Sequence, residues 1–89
     1  MNPHIYAFDA VIHKVEGIDG AYVVFPYDVR TLFQKGRVKV SATLDGVPYD
    51  GILTRMGTPQ HILGVRKDIR ARIHKQPGDT VHVTVRERA

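Results

Sequence analysis

The sequence predicts one mainly β, barrel-like domain with two short helices, spanning residues 1–89. Three observations point there. Apolar and polar residues alternate with a period of two over most of the chain, the pattern of strands with one face buried. An Asp45-Gly46 pair separates two such runs, which is the strongest short hairpin signal available. A strand-helix-strand pattern occurs twice, offset by 40 positions.

The elements follow in order. Ile5 to Val15 reads as a strand with Phe8, Ala10 and Ile12 on one face. Glu16-Gly17-Ile18-Asp19-Gly20 supplies the residues of a reversal, and Ala21 to Phe25 returns. Pro26 suits a first helical turn, and Val29, Leu32 and Phe33 follow at helical spacing, so a helix is expected from Pro26 to Gln34 and ended by Gly36. Arg37 to Asp45 alternates with Val38, Val40, Ala42 and Leu44 inward. Its hairpin partner is Val47 to Arg55, with Pro48 near a sheet edge or a bulge. Met56-Gly57-Thr58-Pro59 forms a loop, His61 to Val65 a short strand, and Lys67 to Ile73 a second helix. Pro77-Gly78-Asp79 turns into a last strand with Val81, Val83 and Val85 inward.

At 89 residues the chain has room for one core, and its 43% hydrophobic and 25% charged residues are ordinary for a globular domain. A domain this small is marginally stable alone, so both a monomer and a homodimer are consistent with it. The absence of cysteine excludes disulfides, thiolate nucleophiles and Cys-based zinc sites. With no apolar run near the ~20 residues of a membrane span and no secretory pattern at Met1-Asn2-Pro3-His4, a cytoplasmic protein with no membrane partner is expected. The net charge of +4 favours polyanions only weakly.

The 40-residue offset lays Val23, Phe25, Asp28, Val29, Arg30, Phe33 and Lys35 onto Leu63, Val65, Asp68, Ile69, Arg70, Ile73 and Lys75. A further three-residue loop adjustment lays Val38, Val40 and Ala42 onto Val81, Val83 and Val85. Periodicity alone would align the apolar positions of any two such segments. The Asp-x-Arg shared by the two helices argues for an internal duplication, in which Asp28 and Asp68, and Arg30 and Arg70, would share environments.

Two resemblances attach to these motifs. The segment His61 to Arg70, followed by Pro77-Gly78-Asp79-Thr80-Val81-His82-Val83, resembles the swapped-hairpin signature of the AbrB and MazE regulators and antitoxins, with Val65-Arg66 in place of their Ile-Pro. Over nearly the whole chain, Phe8 and Ala10, Tyr22, Val23 and Pro26, the Val40 to Asp45-Gly46 hairpin, and the Lys67 to Arg70 and Gly78-Asp79 elements are similar to a family of small domains of unknown function, DUF1905. That resemblance implies a double-split β-barrel capped by a helix at each end, in which one chain holds both halves. It implies no activity.

The best binding candidate is the basic stretch Arg66, Lys67, Arg70, Arg72 and Lys75, whose cations would contact phosphates; its competitor is an ordinary solvated helix face. The second is the outward strand face with Arg37 and Lys39, set against a plain wet sheet surface. Tyr22, Tyr27 and Tyr49 would stack on rings if a ligand brought one, and otherwise pack with their hydroxyls in water. His4, His13, His61, His74 and His82 lack metal-ligand spacing, and most are read as surface residues. No Ser-centred elbow or phosphate-cradling glycine loop occurs. The expectation is a non-catalytic binding or protein-interaction module without a metal or cofactor. The alternative is a nucleic-acid-binding regulator or antitoxin-like protein of the AbrB and MazE kind. An unknown protein partner ranks ahead of nucleic acid.

Overall fold

A computed structural model describes residues 2–55, 57 and 59–88. Met56 and Thr58 of the expected loop lie outside the described residues. The elements are β1 (Tyr6–Val11), β2 (His13–Val15), β3 (Gly20–Val24), α1 (Val29–Phe33), β4 (Val38–Leu44), β5 (Val47–Thr54), β6 (Ile62–Gly64), α2 (Lys67–Ile73) and β7 (Thr80–Glu87). The seven strands form one curled antiparallel half-barrel sheet in the order β1-β7-β4-β5-β6-β3-β2. No described helix is long and apolar enough to cross a membrane.

The expected first strand is broken, and the break sets the architecture. β1 pairs with β7 from Tyr6↔Val85 to Val11↔Thr80, whereas β2 pairs with β3 through His13↔Tyr22. One chain segment therefore supplies both ends of the sheet. Between the halves sits Ile12, only 1% exposed. Its N–H donates to the Asp79 carbonyl at 2.9 Å, and its own carbonyl accepts the Gly78 N–H at 2.8 Å. The Pro77-Gly78-Asp79 turn thus satisfies the backbone of the residue that leaves one ladder for the other, as a buried peptide group requires.

β5 divides in a similar way. It pairs along its length with β4, from Leu44↔Val47 to Val38↔Leu53, and meets β6 only at Leu53 and Thr54. The two-residue Asp45-Gly46 loop, with φ of 48° and 83°, is the expected primed hairpin turn. It makes Leu44 and Val47 a hydrogen-bonded pair, so position 48 faces the unpaired edge, where proline sacrifices no ladder bond.

Alternation placed the core residues well. Val38, Val40, Leu44, Val81 and Val83 are buried, while Lys39 and His82 are exposed. Phe8 and Ala10 are partly buried and pack against the core as expected, Phe8 through ring contacts with Phe25 and Tyr27. The first helix is shorter than expected. Asp28, not Pro26, opens it, accepting the Arg30 and Thr31 amides at 3.1 and 3.2 Å. The Thr31 amide and side chain, and after them the Arg30 amide, hold the Asp28 carboxyl below its usual range. Gln34, not Gly36, ends it in the left-handed region at φ 58°. α2 runs over the residues expected and ends on His74 at φ 57°.

Hydrogen bonds continuing the ladders come in pairs that exchange under the sequence offsets. Phe25 N–H donates to His61 O at 2.9 Å, and Val65 N–H to Ala21 O at 2.8 Å. Asp45 N–H donates to His82 O at 2.8 Å, and Arg88 N–H to Lys39 O at 3.0 Å. The polar repeat does not follow suit. Asp28 caps α1, but Asp68 lies inside α2 and pairs with Arg66, and Arg30 is exposed where Arg70 is buried. The shared environments expected for these two pairs are not found, because α2 begins earlier relative to its Asp than α1 does.

Gly51 marks the tightest approach between strands. A Cβ there would stand 2.7 Å from Leu63 Cδ1 and 3.0 Å from Tyr49 Cε2, whereas at Gly64 it would meet nothing within 4 Å. Gly51→Ala is therefore expected to lower the unfolding free energy by about 1–3 kcal/mol, the usual cost of overpacking. Gly64→Ala is expected to leave it unchanged or raised, and urea denaturation of the two variants checks both.

Candidate anion-binding cleft

The basic stretch on α2 is largely consumed by neighbouring carboxylates. Arg66 pairs with Asp68 at 3.2 Å and lies over the Tyr49 ring, 5.0 Å from its centroid. Lys67 and Arg70 converge on Asp19 of the β2–β3 turn at 3.4 and 3.2 Å. Arg70 is the buried member, 4% exposed, and its Nε is enclosed without a partner. Bonds from Arg70 and then Lys67 hold the Asp19 carboxyl below its ordinary value. Lys75 donates to the Thr80 carbonyl and pairs with Asp45 at 3.3 Å. The His82 backbone amide, followed by Lys75, lowers the Asp45 carboxyl. Of the five candidates in this stretch, Arg72 alone is exposed without an ion pair among the described residues.

The second candidate pair is arranged differently. Arg37 and Lys39 are exposed, and their side chains have no partner among the described residues. They line a cleft of ≈730 Å³ where α1 exits toward β4 and the end of β7. Lys35 and Arg88 line it too, so among the described residues four cations face one carboxylate, Glu87. Arg88 is anchored by its backbone N–H to Lys39 and by Nε to the Val40 carbonyl at 3.1 Å, which leaves its two terminal nitrogens free. Leu32 and Phe33 give the cleft an apolar wall.

Glu87 is buried at 3% exposure. It accepts Lys35 Nζ at 2.7 Å and the Asn2 backbone N–H at 2.8 Å. Asn2 is itself held by its amide nitrogen to Tyr6 Oη at 2.8 Å and the Leu32 carbonyl at 3.1 Å. Lys35, and after it the Asn2 amide, keep the Glu87 carboxyl below its usual range. Sequence reasoning missed Lys35, Glu87, Arg88 and Asn2 as parts of one site. Two signals were present: Lys35, Arg37 and Lys39 recur at every second residue, and the alternation of Val81, Val83 and Val85 carries inward to Glu87.

Among the histidines, His61 departs from the surface reading. It is buried, and its Nε2–H donates to the Gly36 carbonyl at 2.7 Å, tying the α1 exit to β6. His82 donates through Nδ1 to Asp9 at 2.8 Å in an exposed pair. No group of three or more His, Asp or Glu side chains suited to a metal occurs among the described residues.

Glu87→Gln removes the charge opposite Lys35 while retaining an acceptor for the Asn2 amide. Because Lys35 stays half-exposed and can be rehydrated, the expected cost at neutral pH is about 1–2 kcal/mol. A carboxyl whose folded value is depressed stabilises above its unfolded pKa and loses that contribution as pH falls through the folded one. The difference between wild type and variant should therefore shrink below the ordinary carboxylate range. Thermal unfolding across that range checks the sign.

No curated protein matches the chain. A family profile matches residues 8–85, from the Phe8 of β1 to the last inward valine of β7. The chain belongs to the family described as Domain of unknown function (DUF1905).

Proposed function

We propose that the protein is a non-catalytic binding module that holds an anionic ligand in the cleft at the end of α1. The observation carrying this reading is the convergence of Lys35, Arg37, Lys39 and Arg88, with two of the four cations unpartnered among the described residues. The only carboxylate among the described residues of the cleft is committed to Lys35 and a backbone amide. Positive charge, rather than a free acid–base pair, is the chemistry on offer.

On the same reading the scaffold is a double-split β-barrel that arose by duplication and is similar in fold to the AbrB and MazE group. Supporting it are the two divided strand segments, Tyr6 to Val15 and Val47 to Thr54, each shared between two partners. The exchanging backbone bonds support it as well. So does the lysine after each helix, which reaches a carboxylate at the end of the other half's long strand: Lys35 to Glu87 and Lys75 to Asp45. The regulator alternative is weakened because phosphates approaching α2 would compete with Asp19, Asp45 and Asp68 for its cations.

Inorganic phosphate titrated into labelled protein and followed by amide shifts tests the reading. Saturable shifts are expected at Gln34, Lys39 and Arg88. The dissociation constant should rise with salt, because exposed charges are screened. Arg37→Ala with Lys39→Ala should weaken binding about tenfold, the equivalent of one charge-assisted hydrogen bond, and Arg66→Ala with Lys67→Ala should not. Shifts confined to α2, or none that saturate, would refute it.

A further inference from the structure

Beside the cationic cleft lies a second, more apolar groove of ≈380 Å³, where β5 parts from β6. Tyr22, Tyr49, Ile52 and Ile62 line it, and Arg88 borders both cavities. We infer that the two act together on one ligand, a nucleoside phosphate, with its phosphate in the cleft and its base in the groove. The inference rests on the anion-binding reading and adds the ring.

Three features support it. Arg88 is pinned at its Nε and backbone and lines both cavities, and its terminal nitrogens have no partner among the described residues. A guanidinium serves both neighbours, binding phosphate oxygens in its plane and aromatic rings on its face. The groove volume is within the range of small-molecule sites. Lastly, Gly64 sits inside the β3–β6 pairing opposite Tyr22, yet neither a positive φ nor crowding demands glycine there. A strand glycine marks a bulge, a bend or a place where a ligand or another backbone approaches closely, and the open groove beside Gly64 fits the last of these. Tyr22 stacks with His13 at 5.3 Å, and Arg66 covers part of Tyr49, so both rings are held for stacking. Flat aromatic faces accept any base, and no base preference is expected.

Calorimetric titrations with adenosine 5′-monophosphate, inorganic phosphate and adenosine separate the parts. The nucleotide is expected to bind about tenfold or more tightly than phosphate, with adenosine weakest. At Gly64 an added Cβ meets nothing within 4 Å, and valine suits a strand. Gly64→Val should bring nucleotide affinity down to that of phosphate while phosphate affinity stays unchanged, which also reports that the variant is folded. A 5′-phosphorylated hexanucleotide distinguishes the source: tighter binding than the mononucleotide indicates a nucleic-acid end, and equal or weaker binding a free nucleotide. If nucleotide and phosphate bind alike, or if Gly64→Val leaves their ratio intact, the inference fails and the anion reading stands. If neither binds, both fail.

Discussion

Ile12 is the residue on which the arrangement turns. A curled sheet must either leave two open edges or find a segment that belongs to both ends, and Tyr6 to Val15 does the latter by leaving β7 for β3 at a single residue. The crossing is tolerated because the Gly78 and Asp79 backbone takes up both polar groups of Ile12 while its side chain enters the core. Unpaired strand edges invite association with other chains, and sharing one segment between the ends is one way of limiting them. The part of β5 that β6 leaves unpaired carries Pro48 and Asp50, which discourage the addition of another strand.

Because the chain interlocks in this way, groups far apart in sequence meet in register. Arg88 reaches Lys39 through a backbone bond that follows from the β4–β7 register, and the same register lets Lys35 meet Glu87. The cationic cleft is thus a consequence of how β4 and β7 pair, not of any contiguous motif. The Asn2 amide and its side chain close the floor by holding Glu87 and the end of α1. Mutual positioning of this kind keeps a charged cleft open where flexible lysines alone would spread into solvent.

Period-two alternation made the strands and most of the core legible, since one face of each long strand is buried. α2 was legible to the residue, as its apolar spacing begins directly after Val65-Arg66. What escaped was tertiary. No local signal distinguishes Ile12 from its neighbours as a crossing point, because both ladders share the same alternation. Asp28 outcompeted Pro26 as the helix start because a side chain that accepts two amides satisfies donors that proline only omits. The basic run near α2 drew attention as a stretch of sequence, but its value depended on Asp19 and Asp45, which are distant in the chain and adjacent in space. Arg37 and Lys39 were recognised as outward cations, but their partners in the cleft could not be found without the β7 register.

The interlocking of the curled sheet is the claim from which the cleft follows, and native-state hydrogen exchange measures it directly. The amides of Ile12, Phe25, Asp45, Val65 and Arg88 each donate to a carbonyl distant in sequence. If the sheet folds as one unit, these amides should exchange with a common opening free energy equal to that of global unfolding. Release of the Phe25 and Val65 amides, or of the Asp45 and Arg88 amides, at a distinctly lower free energy than the rest would contradict it.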